Sequence, residues 1–120
     1  MVAFKLADME SKFADIIWDN APINSTELVR LSKDIMKWEK STTYTILKRL
    51  CDRGIFKNEG AVVSVLISRE DFYASLSRRY IEDRFSGSLP MFLASYIGGK
   101  KLSAKQAAEL VRLINEHKEG

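Results

Sequence analysis

Apolar residues recur along this chain with a helical period. Met9, Phe13, Ile16 and Ile17 fall at i, i+4, i+7 and i+8, one face of a helix spanning 8–19. Asn20-Ala21-Pro22 breaks it. Asn24 with Glu27 matches a capping box, and a second helix follows with Leu28, Leu31 and Ile35 inward. Lys37 to Lys40 alternates in character, as a connector or very short strand does. Ser41 suits the N-cap of a third helix, which turns Thr43, Ile46, Leu47 and Leu50 to one side. Gly54 stops that helix in the position that favours a left-handed backbone. Ile55 to Lys57, Asn58-Glu59-Gly60 and Ala61 to Ile67 then read as strand, turn and strand.

Helical patterning resumes at Ser68, a cap with Asp71 three residues on, and carries Phe72, Leu76 and Tyr80 toward Phe85. Ser88 and Pro90 open a short helix that Gly98-Gly99 ends. Ser103 with Gln106 opens the last, with Ala107, Leu110, Val111 and Ile114 on one face. Three helices followed by a hairpin is the order of a winged helix-turn-helix module, whose third helix enters the major groove of DNA. The fold class expected is mainly α with a small β-hairpin wing. Residues 1–68 form the winged-helix domain, and residues 69–120 form a helical dimerisation region.

Composition narrows the chemistry. The chain has 120 residues, 46% hydrophobic and 29% charged, enough for one domain with a core. One Cys and one His, Cys51 and His117, lie far apart. They provide no intrachain disulfide, no Cys/His metal site and no Cys–His nucleophile. Glu82 and Asp83 are adjacent, so they point to different sides of a helix and do not form a catalytic dyad. No cofactor and no enzymatic activity are expected. The longest apolar stretch, Met91 to Ala94, is far too short to span a membrane. The opening MVAFKLADMESK lacks the apolar core of a signal peptide. A cytoplasmic protein without membrane insertion is expected.

The net charge of +3 decides little, but its distribution says more. Between Lys37 and Lys57 stand six basic residues and two acidic ones. On the third helix the side opposite the apolar face is centred on Ser41, Thr45, Lys48 and Asp52, with Tyr44 and Arg49 on its flanks. Short hydroxyl side chains let a backbone approach base edges and phosphates, and Thr can touch a thymine methyl. Lys48 and Arg49 supply phosphate neutralisation, the source of most raw affinity. An ordinary amphipathic surface helix shows the same character, so the element order around it carries much of the argument. Ser25 and Thr26 open the second helix and offer N–H groups to a phosphate, or simply cap it. Lys57, in the hairpin, reaches toward neighbouring backbone.

The C-terminal half holds more apolar residues than short helices cover alone. Leu76, Tyr80, Phe85, Leu93, Tyr96, Ile97, Leu110 and Ile114 are the candidates for pairing with a second copy. Two-fold pairing fits a reader of palindromic DNA. The competing arrangement is an intramolecular helical layer. Glu70, Asp71, Glu82 and Asp83 interleave with Arg69, Arg78, Arg79 and Arg84, which reads as a solvated face.

The sequence resembles the penicillinase-repressor family across nearly its whole length. LADMESKFADIIWDNAPINSTELV is similar to the family's first two helices, and STTYTILKRLCDRGIFKNEG to its recognition helix and wing entry. The stretch from Ser68 to Ile114 has the length and pattern of its dimerisation region. The resemblance implies a homodimeric repressor on an inverted-repeat, double-stranded DNA operator. Ser41, Thr42, Tyr44 and Thr45 match positions of base and phosphate contact, and Arg49 matches the family's Arg before Leu. In resistance-linked members a membrane-bound sensor protease signals release, and the repressor is cut between Asn and Phe. The matching pair here is Ser95-Tyr96. Copper-responsive members carry a C-terminal Cys pattern that EHKEG lacks. The function expected is a transcriptional repressor. The alternative is a winged-helix protein-interaction adaptor without DNA readout.

Overall fold

The computed structural model describes residues 6–120. The first five residues, where part of the leader argument rests, lie outside it. Packing divides the described residues into two compact units, one ending at Arg79 and the other spanning Tyr80–Gly120. The first contains α1 (Asp8–Asn20), β1 (Ile23–Asn24), α2 (Ser25–Met36), α3 (Lys40–Asp52), β2 (Phe56–Glu59) and β3 (Val62–Val65). It also takes in the start of α4 (Arg69–Phe85). The second contains the end of α4, then α5 (Leu89–Ile97) and α6 (Ala104–His117). The chain is mainly helical, with the three helices and hairpin of a winged helix.

The core of the first unit follows the helical stripes. Phe13, Ala14 and Ile17 of α1, Leu28 of α2, Leu47 and Leu50 of α3, and Ile55, Phe56 and Val63 of the sheet region are buried together. Two residues depart from the predicted stripes. Met9 and Ile35 are 51% and 61% exposed, because each lies at one end of its helix. Periodicity assigns a face, but burial also needs a neighbour long enough to cover it.

Caps fix the helix starts. Asn24 Oδ1 accepts from the Thr26 N–H at 2.9 Å and from the Thr26 hydroxyl at 2.6 Å. Glu27 does not close the expected box. Its carboxylate takes hydrogen bonds from Arg30, which draws it along the helix. Helix α3 begins two residues earlier than an N-cap at Ser41 predicts, at Lys40, with Glu39 in the capping position, so Ser41 lies within the first turn. Ser68, Ser88 and Ser103 cap as predicted, each accepting at 3.1 Å from the backbone N–H three residues on.

The hairpin turns at a different place from the one predicted. Asn58 and Glu59 belong to β2, paired with Val63 and Val62, and only Gly60 and Ala61 lie between the strands. Their φ angles are 59° and 61°, as a two-residue turn matched to strand twist requires. A third strand, β1, was not expected. It pairs antiparallel with β3, Ile23 opposite Val63, giving the order β1-β3-β2. Val63 is therefore central and fully buried, while Val62 and Val65 remain partly open.

Trp18 joins α1 to the sheet and to the start of α4. Its Nε1 donates to the Ile67 carbonyl at 3.0 Å, and its ring lies 5.3 Å from Phe56 and 5.7 Å from Phe72. In the second unit an aromatic chain runs from Tyr80 through Phe85 and Phe92 to Tyr96, with neighbouring centroids 5.5–6.1 Å apart. Among the described residues no helix is long and apolar enough to cross a membrane.

Candidate nucleic-acid interface

Helix α3 has two unlike sides. Thr43, Leu47 and Leu50 are buried. Ser41, Thr42, Thr45, Lys48, Arg49 and Asp52 are exposed. The inward Thr43 is satisfied within the helix, donating its hydroxyl to the Glu39 carbonyl at 3.2 Å. Thr45 likewise donates to the Ser41 carbonyl at 2.9 Å, which orients its methyl and leaves hydroxyl lone pairs toward solvent. Lys48 Nζ lies 3.1 Å from Asp52 Oδ2. Both groups are largely exposed, so the pair is weak and easily exchanged for another anion.

Two contacts lock this helix to its neighbours. The Tyr44 hydroxyl donates to Ser25 Oγ at 3.2 Å, and the Ser25 N–H donates to the Ala61 carbonyl at 2.8 Å. One small residue at the start of α2 therefore ties α3 to the turn of the wing. Ser25 is 4% exposed, and its N–H and hydroxyl are both engaged. Thr26 is exposed beside it, with its N–H directed to Asn24. The arrangement presents the outward face of α3 on a rigid frame, with α2 on one side and the hairpin on the other.

The wing contributes modest charge. Lys57 Nζ lies 2.8 Å from Glu59 Oε2, and its hydrogen bond holds the Glu59 carboxyl below the usual carboxylate range. A shallow groove between α3 and β2 is lined by Tyr44, Leu47, Lys48, Cys51 and Asn58. Burial pushes the Cys51 thiol up, and the neighbouring Asp52 carboxylate pushes it the same way. Cys51 therefore stays a neutral thiol at physiological pH and is a poor nucleophile.

The residues considered for pairing are distributed over both units. Leu76 packs against the core of the first. Tyr80 and Phe85 belong to the aromatic chain of the second. Leu93, Tyr96, Ile97 and Leu110 line an apolar groove between α5 and α6, and Ile114 is 51% exposed. Ser95 and Tyr96 lie in the last turn of α5, both on the surface.

One contact set escaped sequence reasoning. Arg69 was expected on a solvated face, yet its guanidinium reaches Asp15 and Asp19 of α1 and lies 5.5 Å from the centre of the Trp18 ring. The partners are about fifty positions apart in sequence, and no local spacing signals them.

Comparison with known proteins agrees with this geometry. The penicillinase repressor family matches residues 6–116. A penicillinase repressor of Bacillus licheniformis is 25% identical over 118 residues, covering 95% of this chain and 92% of that protein. A family match over nearly the whole length, on a winged-helix frame with a hydroxyl-rich and basic third helix, places the chain in the penicillinase repressor family as a repressor-type regulator.

Proposed function

We propose that the chain is a cytoplasmic, homodimeric transcriptional repressor that occupies an inverted-repeat operator in double-stranded DNA. The observation that carries this reading is the outward face of α3. Ser41, Thr42, Thr45, Lys48 and Arg49 stand exposed on a helix whose inner side is locked into the core. Thr45 and its neighbours meet base edges, while Lys48 leaves Asp52 for a phosphate and Arg49 neutralises another. Tyr44 and Ser25 hold the helix at its working angle, Thr26 faces the adjacent backbone, and Lys57 approaches it from the wing. Residues 1–68 read the DNA and residues 69–120 pair two copies. Leu76, Tyr80, Phe85, Leu93, Tyr96, Ile97, Leu110 and Ile114 supply the apolar material for that pairing. Repression is steric: an occupied operator excludes the transcription machinery.

Release follows a signal that weakens pairing. Cleavage between Ser95 and Tyr96 by a membrane-bound sensor protease is one such signal. The bond is exposed, but it lies within α5, so the last turn of that helix must unwind before a protease can bind it in extended form.

Fluorescence anisotropy with duplexes from the chain's own upstream intergenic region tests the reading. Sequence-preferring binding is expected, with affinity falling steeply as salt rises. In a Thr45→Ala/Lys48→Ala variant the preference narrows and the salt slope drops by about one unit for the lost phosphate contact. Binding untouched by the double change would overturn the assignment of α3. Absence of binding at low salt would favour a protein-interaction adaptor built on the same fold.

A further inference from the structure

Two of the three cations that the repressor reading brings to the DNA backbone are already held by carboxylates of the same surface. On α3, Lys48 Nζ lies 3.1 Å from Asp52 Oδ2, with the two side chains 76% and 66% exposed. On the wing, Lys57 Nζ lies 2.8 Å from Glu59 Oε2, with the side chains 50% and 74% exposed. Both pairs follow from local geometry. Lys48 and Asp52 are about one helical turn apart, and Asp52 continues the outward line of Ser41, Thr45 and Lys48. Lys57 and Glu59 are two positions apart on β2, so they share one face of that strand. Helix stability does not account for Asp52. It is the last residue of α3, where the negative end of the helix dipole disfavours a carboxylate. A lysine four positions before an acid is also the weaker order for such a pair.

Pairs this exposed hold their partners loosely, so each lysine can still turn to a phosphate. The carboxylate stays behind. A phosphate that reaches Lys48 or Lys57 then lies near a second negative charge, well inside the screening length of about 10 Å at 0.1 M salt. The Lys57 hydrogen bond holds the Glu59 carboxyl below the usual carboxylate range, so Glu59 is fully charged at neutral pH. Lys48, Arg49 and Lys57 against Asp52 and Glu59 leave one net positive charge on the surface that meets a polyanion. Phosphate contacts carry essentially all non-specific binding and a large share of specific binding, so both are weakened. We propose that Asp52 and Glu59 are affinity-limiting residues: each carboxylate competes with a DNA phosphate for its own lysine, Asp52 for Lys48 and Glu59 for Lys57, and keeps the head's hold on DNA weak enough to be readily reversed. This rests on the DNA-binding reading above and concerns the first unit alone.

The test uses the full chain, one duplex from its own upstream intergenic region and one of equal length and unrelated sequence. Each is titrated by fluorescence anisotropy across a salt series. Asp52→Asn and Glu59→Gln keep the size of the side chain and lose its charge. Each is expected to gain about threefold in affinity at about 0.1 M salt, and the double variant about tenfold, equally on both duplexes. The salt slope of the double variant should steepen by up to about one unit. Asp52→Glu and Glu59→Asp retain the charge and should stay within about twofold of wild type. Unchanged or weaker binding by the charge-removing variants would overturn the proposal. So would weaker binding to the upstream duplex alone, which marks the carboxylate as a reader of base amino groups. A gain reproduced by the charge-retaining variants would overturn it as well, because charge would not be the cause. Wild-type binding without the gain sinks this proposal alone, whereas no binding by wild type or variants at low salt sinks the repressor reading with it.

Discussion

Three small hydroxyl residues, Ser25, Ser32 and Thr43, are buried where the helices of the head meet. Their size lets helices approach closely, and each brings a polar atom that must be satisfied. Thr43 finds the Glu39 carbonyl, and Ser25 accepts from Tyr44. Ser32 Oγ has no hydrogen-bond partner among the described residues, and the residue is fully buried. Replacing it with Ala removes an unpaired buried hydroxyl and changes little volume. Ser32→Ala is expected to raise stability by about 1 kcal/mol, read as a higher urea midpoint at unchanged slope. A loss of stability would show that the hydroxyl is paired in solution. Tyr44 illustrates a different residue-scale lesson. Its phenol is half-buried against Ser25, so it orients α3 as well as flanking the exposed face.

At the scale of elements, the wing is the least conventional part. Its turn places Ala61 at a φ of 61°, where a side chain is strained and glycine is not. Ala61→Gly relieves that strain but adds freedom to the unfolded chain. The balance is expected to be a gain of about 0.5 kcal/mol, seen as a melting temperature raised by a few degrees, with the hairpin unchanged. A lower melting temperature would mean that the Ala61 methyl packs favourably in the turn. The helices were legible in the sequence because each carries an apolar period, and Asn24, Ser68, Ser88 and Ser103 announce the starts of four of them; α1 and α3 follow Ala7 and Glu39, which make no side-chain cap. Strand β1 was not legible, because two residues carry no alternation and its partner lies some forty positions away. The turn was misplaced by the same limit. Asn58-Glu59-Gly60 has turn composition, but register is set by pairing across the ladder, Glu59 with Val62. The exposed face of α3 was legible because a helix projects neighbours in a fixed rotation. The burial of Ser25 was not, because it depends on Tyr44 and Ala61 arriving from elsewhere in the fold.

At the scale of the whole molecule, the two units differ in how well they enclose their apolar residues. The first has a closed core around Phe13, Leu28, Leu50 and Phe56. The second leaves Leu89, Met91, Tyr96, Val111, Leu113 and Ile114 at least half exposed. Scattered apolar residues are ordinary on a surface, but six on two short helices suit a region that pairs with another copy. A dimer of winged heads makes a geometric demand on DNA: two equivalent contacts, related by a two-fold axis, separated by a whole number of helical turns. The most direct measurement is therefore a hydroxyl-radical footprint of the full chain on its own upstream DNA. The account predicts two symmetric protected patches over an inverted repeat, about 10 base pairs or a multiple apart, both lost together in Thr45→Ala/Lys48→Ala. A single unpaired patch, or diffuse protection without sequence preference, would contradict it.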